Sequence, residues 1–319
     1  MRIPRIRIPA FGPTLYGLVL LMIVLGVATP FLPIIAKVHL INFLLFVGLA
    51  YALNFITGLT GYVSFGHAVF MGIGAYALGG GIDRLGIPPV LGVILGAGLG
   101  AAFAVGIGLV TLRFRGVYFA ITTLVLFLAA KNIVPEFSEL GGGGGIFLNL
   151  GLPQPLAQFY TIWAIVVLEI GITYWVTHGR LGYGLRAIKS DEDAAKAVGV
   201  NASRLKLTLF AISGLFAGAT GAVYAWHISV VLPDTAFDIT FSLRMLAMII
   251  IGGAGTLLGP FLGAIIVYVP YNYFETVQSL IGLQLAVIGL LVLLIALFLP
   301  TGIVGTIRRY APALRRYVE

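Results

Sequence analysis

An all-α membrane protein, a polytopic bundle of about ten transmembrane helices, is the fold class that three observations predict. The 319-residue chain is 60% hydrophobic and only 9% charged. Its mean hydropathy is +1.09. Its apolar stretches also recur at the length of a membrane span. A soluble domain carries roughly 25% charged residues, so polar surface this scarce points to lipid as the solvent for most of the chain.

Breaking the sequence at charges and turn residues gives spans at 15–35, 39–57, 62–81, 89–112, 116–134, 158–177, 207–231, 241–257, 258–277 and 280–299. Each is near the roughly 20 residues that cross the hydrocarbon core as helix. The first span follows a basic start in the manner of a signal peptide. Its apolar run continues through Pro30 and Pro33 into further spans, so it is read as a retained first helix. The third span, GYVSFGHAVFMGIGAYALGGG, combines glycines with Ser64 and His67. Glycine permits non-helical backbone there, whose polar groups then face a cavity or a protein neighbour. His67 is either a hydrogen-bonded interior brace or a group lining a pathway.

Small residues repeat at helix-packing spacing in the fourth span (Gly92, Gly96, Gly100), the seventh (Gly214, Gly218) and the ninth (Gly259, Gly263), as close-packed membrane helices require. The sixth span carries Glu169 near its centre. An acid in lipid faces a bundle interior or a wet cavity, so Glu169 is a substrate or proton site, or a buried acid held for packing. The 241–277 region is interrupted by Gly252, Gly253, Gly255, Gly259 and Pro260. Its GGAGTLLG shares a loose glycine spacing with GLTGYVSFG at 58–66, too weak to assign a symmetry axis.

Two segments exceed a short turn. Residues 135–157 contain five consecutive glycines, either a flexible loop or one whose backbone closely approaches a substrate or docking partner. Residues 178–206 form the one substantial water-facing segment with well-formed helix chemistry. Ser190 is placed as N-cap with Asp193 three residues on. Asp191, Glu192 and Asp193 lie at the positive end of the helix dipole, and Lys196 toward the negative end. Ala194, Ala195 and Val198 make a small apolar face, and Gly199 suits the left-handed position after the helix.

With the N-terminus inside, fifteen Lys and Arg fall in cytoplasmic segments and four (Lys37, Arg84, Lys131, Arg244) on or near the other side. The formal charge of +8 is therefore a topology signal rather than a nucleic-acid footprint. Cysteine is absent. No G-x-x-x-x-G-K-[ST], H-E-x-x-H or G-x-S-x-G occurs, and the four histidines are scattered. Conduction through the chain is favoured over catalysis by it, and neither a metal site nor a catalytic residue is expected.

GLTGYVSFGHAVFMGIGAYA resembles the signature of branched-chain amino acid ABC transporter permeases of the LivM type. GYGLRAIKSDEDAAKAVGVNASRLKLTLFAISGLFAGATGAVYA is similar to their cytoplasmic loop and the helix after it, and GGAGTLLGPFLGA and LFLPTGIVG to their C-terminal half. Together these cover most of residues 40–305, in order.

The resemblance implies a single permease domain over 1–319, of the vitamin B12-importer-like (type II) fold. It has a basic cytoplasmic N-terminus at 1–14, a periplasmic loop at 135–157, a cytoplasmic coupling loop at 178–206 and a basic cytoplasmic C-terminus at 300–319. It implies a multi-pass subunit of a prokaryotic inner membrane that pairs with a LivH-like second permease. Two ATPases (LivG- and LivF-like) and an external solute-binding protein complete the assembly. This chain then binds no cofactor, and ATP and Mg are used by the ATPases. Arg186, Lys189, Asp191, Glu192, Asp193, Ala194, Ala195 and Gly199 become the core of the ATPase-coupling region. Ser64, Gly66, His67, Phe70, Gly72, Gly74 and Glu169 become translocation-path candidates. A urea or short-chain amide permease of the same family is the alternative, and an ion-coupled secondary transporter using Glu169 a further one.

Overall fold

A computed structural model describes residues 13–151, 153–276, 284–299 and 301–310. Most of the basic N-terminus, the start of the tenth expected span, and Arg315 and Arg316 of the basic C-terminus lie outside the described residues. The chain is helical nearly throughout. In order it runs α1 (Pro13–Ala28), α2 (Ile34–Leu53), α3 (His67–Leu85), α4 (Pro89–Thr111), α5 (Val117–Ile133) and α6 (Pro155–His178). Two shorter helices, α7 (Arg180–Ser190) and α8 (Glu192–Ala197), lead into α9 (Ala202–Ile228). α10 (Pro233–Ala236), α11 (Ile239–Gly252), α12 (Gly259–Thr276), α13 (Gln284–Phe298) and α14 (Gly302–Tyr310) follow. A helix occupies the position of each expected span. Among the described residues seven segments are long and apolar enough to cross a membrane: Pro13–Phe31, Ile34–Gly58, Pro89–Thr111, Val117–Glu136, Pro155–His178, Ala202–Ile228 and Pro233–Gly252. α3, α12 and the described part of α13 are shorter or less apolar than that.

α2 is central. Every residue from Leu44 to Leu53 is buried, so the helix is apolar all round because protein surrounds it. α1, α4 and α5 instead turn large apolar side chains outward, among them Ile94, Phe103 and Ile121 at 61%, 51% and 52% exposure. Lipid solvates such a face, and water would not.

α4 and α9 meet through the glycines that the sequence singles out. A Cβ at Gly100 would stand 2.3 Å from Gly214 O, and one at Gly218 would stand 2.4 Å from Gly96 O. Gly263 of α12 meets Met248 O of α11 in the same way, at 1.8 Å. With no hydrophobic force between helices in lipid, this backbone approach supplies the packing.

The pentaglycine loop finds its close neighbour within the chain. Strands β1 (Ile146–Phe147) and β2 (Val230–Val231) pair antiparallel, Ile146 opposite Val231. At Gly145 φ is +73°, and an added Cβ would lie 2.2 Å from Val231 O.

Two expected details are corrected. Ser190 is not an N-cap: it ends α7, and Asp191 is the cap of α8, accepting from the backbone N of Asp193 (2.8 Å) and Ala194 (2.9 Å). The reason is local. Asp191 at φ −159° breaks the helix one residue later than the Ser190 reading places it, and its short carboxylate reaches both amides. The apolar face also divides. Ala195 packs inward against Ile188 and Ala202, whereas Ala194 and Val198 point outward, Val198 at 78% exposure.

Candidate functional site

The third expected span is a broken helix. α2 continues into a wide π turn over Asn54–Gly58, and residues 61–66 are then non-helical until α3 starts at His67. His67 contacts Ser213, the twelfth residue of α9. At 1.5 Å per residue that is roughly 16 Å along the helix, so the extended segment reaches well into the bundle.

Its backbone groups need partners there, and neighbouring hydroxyls supply them. Phe65 N donates to Thr123 Oγ1 at 3.2 Å, Thr57 Oγ1 donates to Tyr62 O at 3.0 Å, and Ala68 N donates to Ser242 Oγ at 3.0 Å. Gly66 passes so close to α5 that a Cβ would sit 2.5 Å from Thr123 O.

His67 and Ser64 come together, as their spacing suggests, and a third hydroxyl completes the arrangement. Nδ1 lies 2.9 Å from Ser64 Oγ, and Nε2 is bonded to Ser213 Oγ. Ser213 gives its own hydrogen to Ala52 O. Nε2 must therefore be the donor to Ser213, and Nδ1 accepts from Ser64. The ring joins α2, α3 and α9, and packs edge-on against Phe70 and Phe210.

All the path candidates are buried within this chain. Ser64 and His67 have no exposed surface, and Phe70 has 2%. Gly72 lies under the Phe237 ring, and Gly74 under Gly218 O. A recess of only about 10 Å³ touches Ser64, Gly66 and Phe70. Glu169 is placed elsewhere, against Gly48 of α2 and Thr220 of α9. It is fully buried, and neither carboxyl oxygen has a hydrogen-bond partner among the described residues.

The second break, between α11 and α12, meets the first. Gly255 N donates to Asn54 Oδ1 at 2.8 Å, and Tyr51 OH donates to Leu257 O at 2.6 Å. Lys189 of α7 lies across both, its ammonium donating to Gly58 O at 2.7 Å and Ala254 O at 3.3 Å. The two loosely similar glycine stretches are thus one spatial unit, with α7 attached.

Of the expected coupling residues, Arg186, Lys189, Asp191, Asp193, Ala194 and Gly199 are exposed. Gly199 takes φ +87°, the left-handed form expected after the helix. Glu192 instead turns inward, its side chain 10% exposed, onto residues that sequence reading missed. Lys206 Nζ, on a side chain 2% exposed, donates to both Glu192 oxygens at 3.0 Å and to Tyr62 OH at 2.9 Å. Tyr62 OH in turn donates to Glu192 Oε2. Lys196 adds a 2.8 Å ion pair to Glu192, and Arg115 donates to both oxygens of Asp193 at 2.9 and 2.8 Å. The available signal was a lone lysine entering an apolar helix, a position where a cation needs a partner.

Burial pushes Glu192 up, but hydrogen bonds from Lys196, Tyr62 and Lys206 outweigh it and hold its carboxyl at about 2. A carboxylate held below its ordinary range stabilises the docked α7–α8 above that range. The contribution is lost as pH falls from the ordinary carboxylate value through about 2. Proteolysis within 178–206 should accordingly be unchanged from neutral pH to about 5 and rise only in stronger acid. A rise that begins near neutrality would contradict the role of Glu192.

Residues 38–296 match the model of a family described as branched-chain amino acid transport system, permease component. The high-affinity branched-chain amino acid transport system permease protein LivM of Escherichia coli K12 is 31% identical, over 90% of this chain and 74% of its own length. LivM of Salmonella typhimurium LT2 is 28% identical, over 96% of this chain and 79% of its own. The ribose import permease RbsC of E. coli K12 is 24% identical, over 60% and 62%. No solved structure matches. With the family model matched over residues 38–296 and a relative 31% identical over 90% of its length, the chain belongs to the branched-chain amino acid permease components of ABC transporters, inner-membrane subunits that are not themselves enzymes.

Proposed function

We propose that the chain is one permease of an ATP-driven, binding-protein-dependent importer that carries branched-chain amino acids across the inner membrane by alternating access. Its partners are a LivH-like permease, two LivG- and LivF-like ATPases and an external binding protein. The 15-to-4 division of basic residues supports cytoplasmic termini. Branched-chain amino acids are favoured over sugars by the family description and by identity: E. coli LivM is 31% identical over 90% of this chain, and the ribose permease of Bacillus subtilis 26% over the same share.

The observation that carries the mechanism is the Glu192–Lys206–Tyr62 contact. The exposed face of α7–α8, with Tyr183, Ala194 and Val198, is suited to an ATPase groove. Glu192 on the opposite face joins that element to the 61–66 segment leading to His67. When the ATPases close, α7 and α8 move. Lys189 and Lys206 pass that motion to both helix breaks at once, and His67 braces the moving segment. The route for substrate then opens at Ser64, His67 and Phe70, which are buried within this chain. The external binding protein supplies selectivity.

The test is uptake of leucine into proteoliposomes holding all the subunits. Gly199→Val forces a β-branched residue to φ +87° and is expected to lower uptake at least tenfold while ATPase binding persists. Unchanged uptake and ATPase stimulation would overturn the coupling assignment. Ribose rather than a branched-chain amino acid on the cognate binding protein would overturn the substrate. Proton-driven uptake by this chain alone, lost in Glu169→Gln, would overturn the class.

A further inference from the structure

A positive charge sits in the middle of the bundle. Counted along the sequence, Arg244 falls on or near the outer side of the membrane. In the structure α10 and the two residues after it form the outer end of the Pro233–Gly252 span, so Arg244 is the twelfth of its twenty residues. Its guanidinium carbon lies 6.0 Å from the ring centroid of Phe46, itself the thirteenth of the 25 residues in Ile34–Gly58. Both helices place the cation near mid-span.

Rings surround it, and no acid does. The Tyr271 ring centroid of α12 lies at 4.2 Å and that of Phe241 of α11 at 5.6 Å. Arg244 forms no ion pair among the described residues, and its buried Nε has no hydrogen-bond partner there. Asp238, which caps α11, is occupied with Thr240, accepting from its N at 2.9 Å and its Oγ1 at 2.6 Å. Ring faces hold a cation in place without neutralising it. A charged group at this depth faces a protein neighbour or a wet route rather than lipid. Arg244 is partly exposed, so a group from outside the chain can reach it.

The chemistry of that group can be narrowed. Phospholipid headgroups lie about 15 Å from mid-span, half the hydrocarbon thickness. A fixed acid on a neighbouring subunit would pair permanently and leave the three rings without a task. An anion that arrives and departs needs a cation that stays aimed while alone, and the rings provide that. Beside Arg244, Leu243 is exposed and apolar. A carboxylate joined to an aliphatic side chain matches both parts.

We infer that Arg244 receives the carboxylate of the transported amino acid, fork to fork, with the aliphatic part toward Leu243. α11 connects this contact to the moving parts. Ser242, on its other face, accepts from Ala68 N at the start of α3. The helix ends at Gly252, roughly 12 Å from Arg244, where the second break begins. The inference rests on the amino-acid reading of the cargo, and adds a contact across α11 from the route at Ser64, His67 and Phe70.

The test uses the assembled transporter in proteoliposomes with its binding protein. Arg244→Gln is expected to lower leucine uptake roughly 30-fold, the loss of a desolvated charge pair, while ATP hydrolysis stimulated by the loaded binding protein continues. Arg244→Lys keeps the charge without the fork and should lose less than about tenfold. The native chain has no cysteine, so Leu243→Cys, at a position 42% exposed, reports on the site through maleimide labelling. Leucine should slow that labelling, and leucinol, which lacks the carboxylate, should not. Adding Arg244→Gln should remove the protection. Protection by both compounds or by neither, in vesicles that take up leucine, would overturn the inference. So would loss of the second permease from the purified Gln variant, which assigns Arg244 to a partner's acid. No leucine uptake by the parent transporter would overturn the reading of the cargo, and the inference with it.

Discussion

Lys206→Met should uncouple the permease. The substitution leaves Glu192, 10% exposed, facing an apolar side chain where an ammonium lay 3.0 Å away. Removing one member of a buried pair costs roughly 3–5 kcal/mol when nothing else compensates. Lys196 still reaches Glu192, and Arg115 approaches it at 3.8 Å, so about 2 kcal/mol is the expected cost here. That lowers the equilibrium constant for the docked α7–α8 conformation roughly 30-fold. Uptake in the reconstituted transporter should fall by at least that factor, while basal ATP hydrolysis continues.

The double variant Lys206→Met with Glu192→Leu separates stability from transmission. With both charges gone the pocket is apolar throughout, and thermal stability should return to within about 1 kcal/mol of the parent. Uptake should stay low, because the tie between α8 and the 61–66 segment is missing. If transport recovers together with stability, the ion pair is a fastener and carries no motion.

The second large effect is steric, and α4 contains its own control. Gly100→Leu puts a side chain where a Cβ alone would lie 2.3 Å from Gly214 O. Backbone cannot yield as a side-chain tip can, so α4 and α9 must separate along their whole contact. Overpacking typically costs about 1–3 kcal/mol. A forced backbone separation exceeds that, and the expected result is no monodisperse protein after extraction. At Gly98, two residues away, an added Cβ meets nothing within 4 Å, so Gly98→Leu should change stability by less than about 0.5 kcal/mol. Equal yields of the two variants would refute the packing.

The contrast between Gly100 and Gly98 shows what was readable beforehand. Lipid is as apolar as a protein interior, so a membrane helix carries little hydrophobic asymmetry to mark its buried side. The outward Ile94 and Phe103 of α4 look in sequence no different from the buried Leu44 and Phe46 of α2. Glycine spacing is the exception, because close approach demands a missing side chain. Gly96, Gly100, Gly214 and Gly218 therefore marked close-packing faces in advance, and the structure decided that they face one another. In water the period returns as a signal, and α8 with its Gly199 terminus was legible for that reason, whereas α7 before it was not read as a helix. The cap of α8 was misplaced by one residue, since Ser190 and Asp191 are both competent caps and only the backbone angle chooses between them.

Composition, hydropathy and motif order by themselves determined the class, the run of helices, the family and the water-facing element. These properties are local along the chain, or are sums over it. The tertiary structure alone decided that Glu192 faces inward to Lys206 and Tyr62, that His67 bridges Ser64 and Ser213, and that Lys189 joins two glycine-rich breaks. Tyr62 and Glu192 are 130 residues apart, and His67 and Ser213 are 146 apart. A hydrogen bond between such residues depends on how helices dock, and docking in lipid is set by surface shape, which no periodic pattern records.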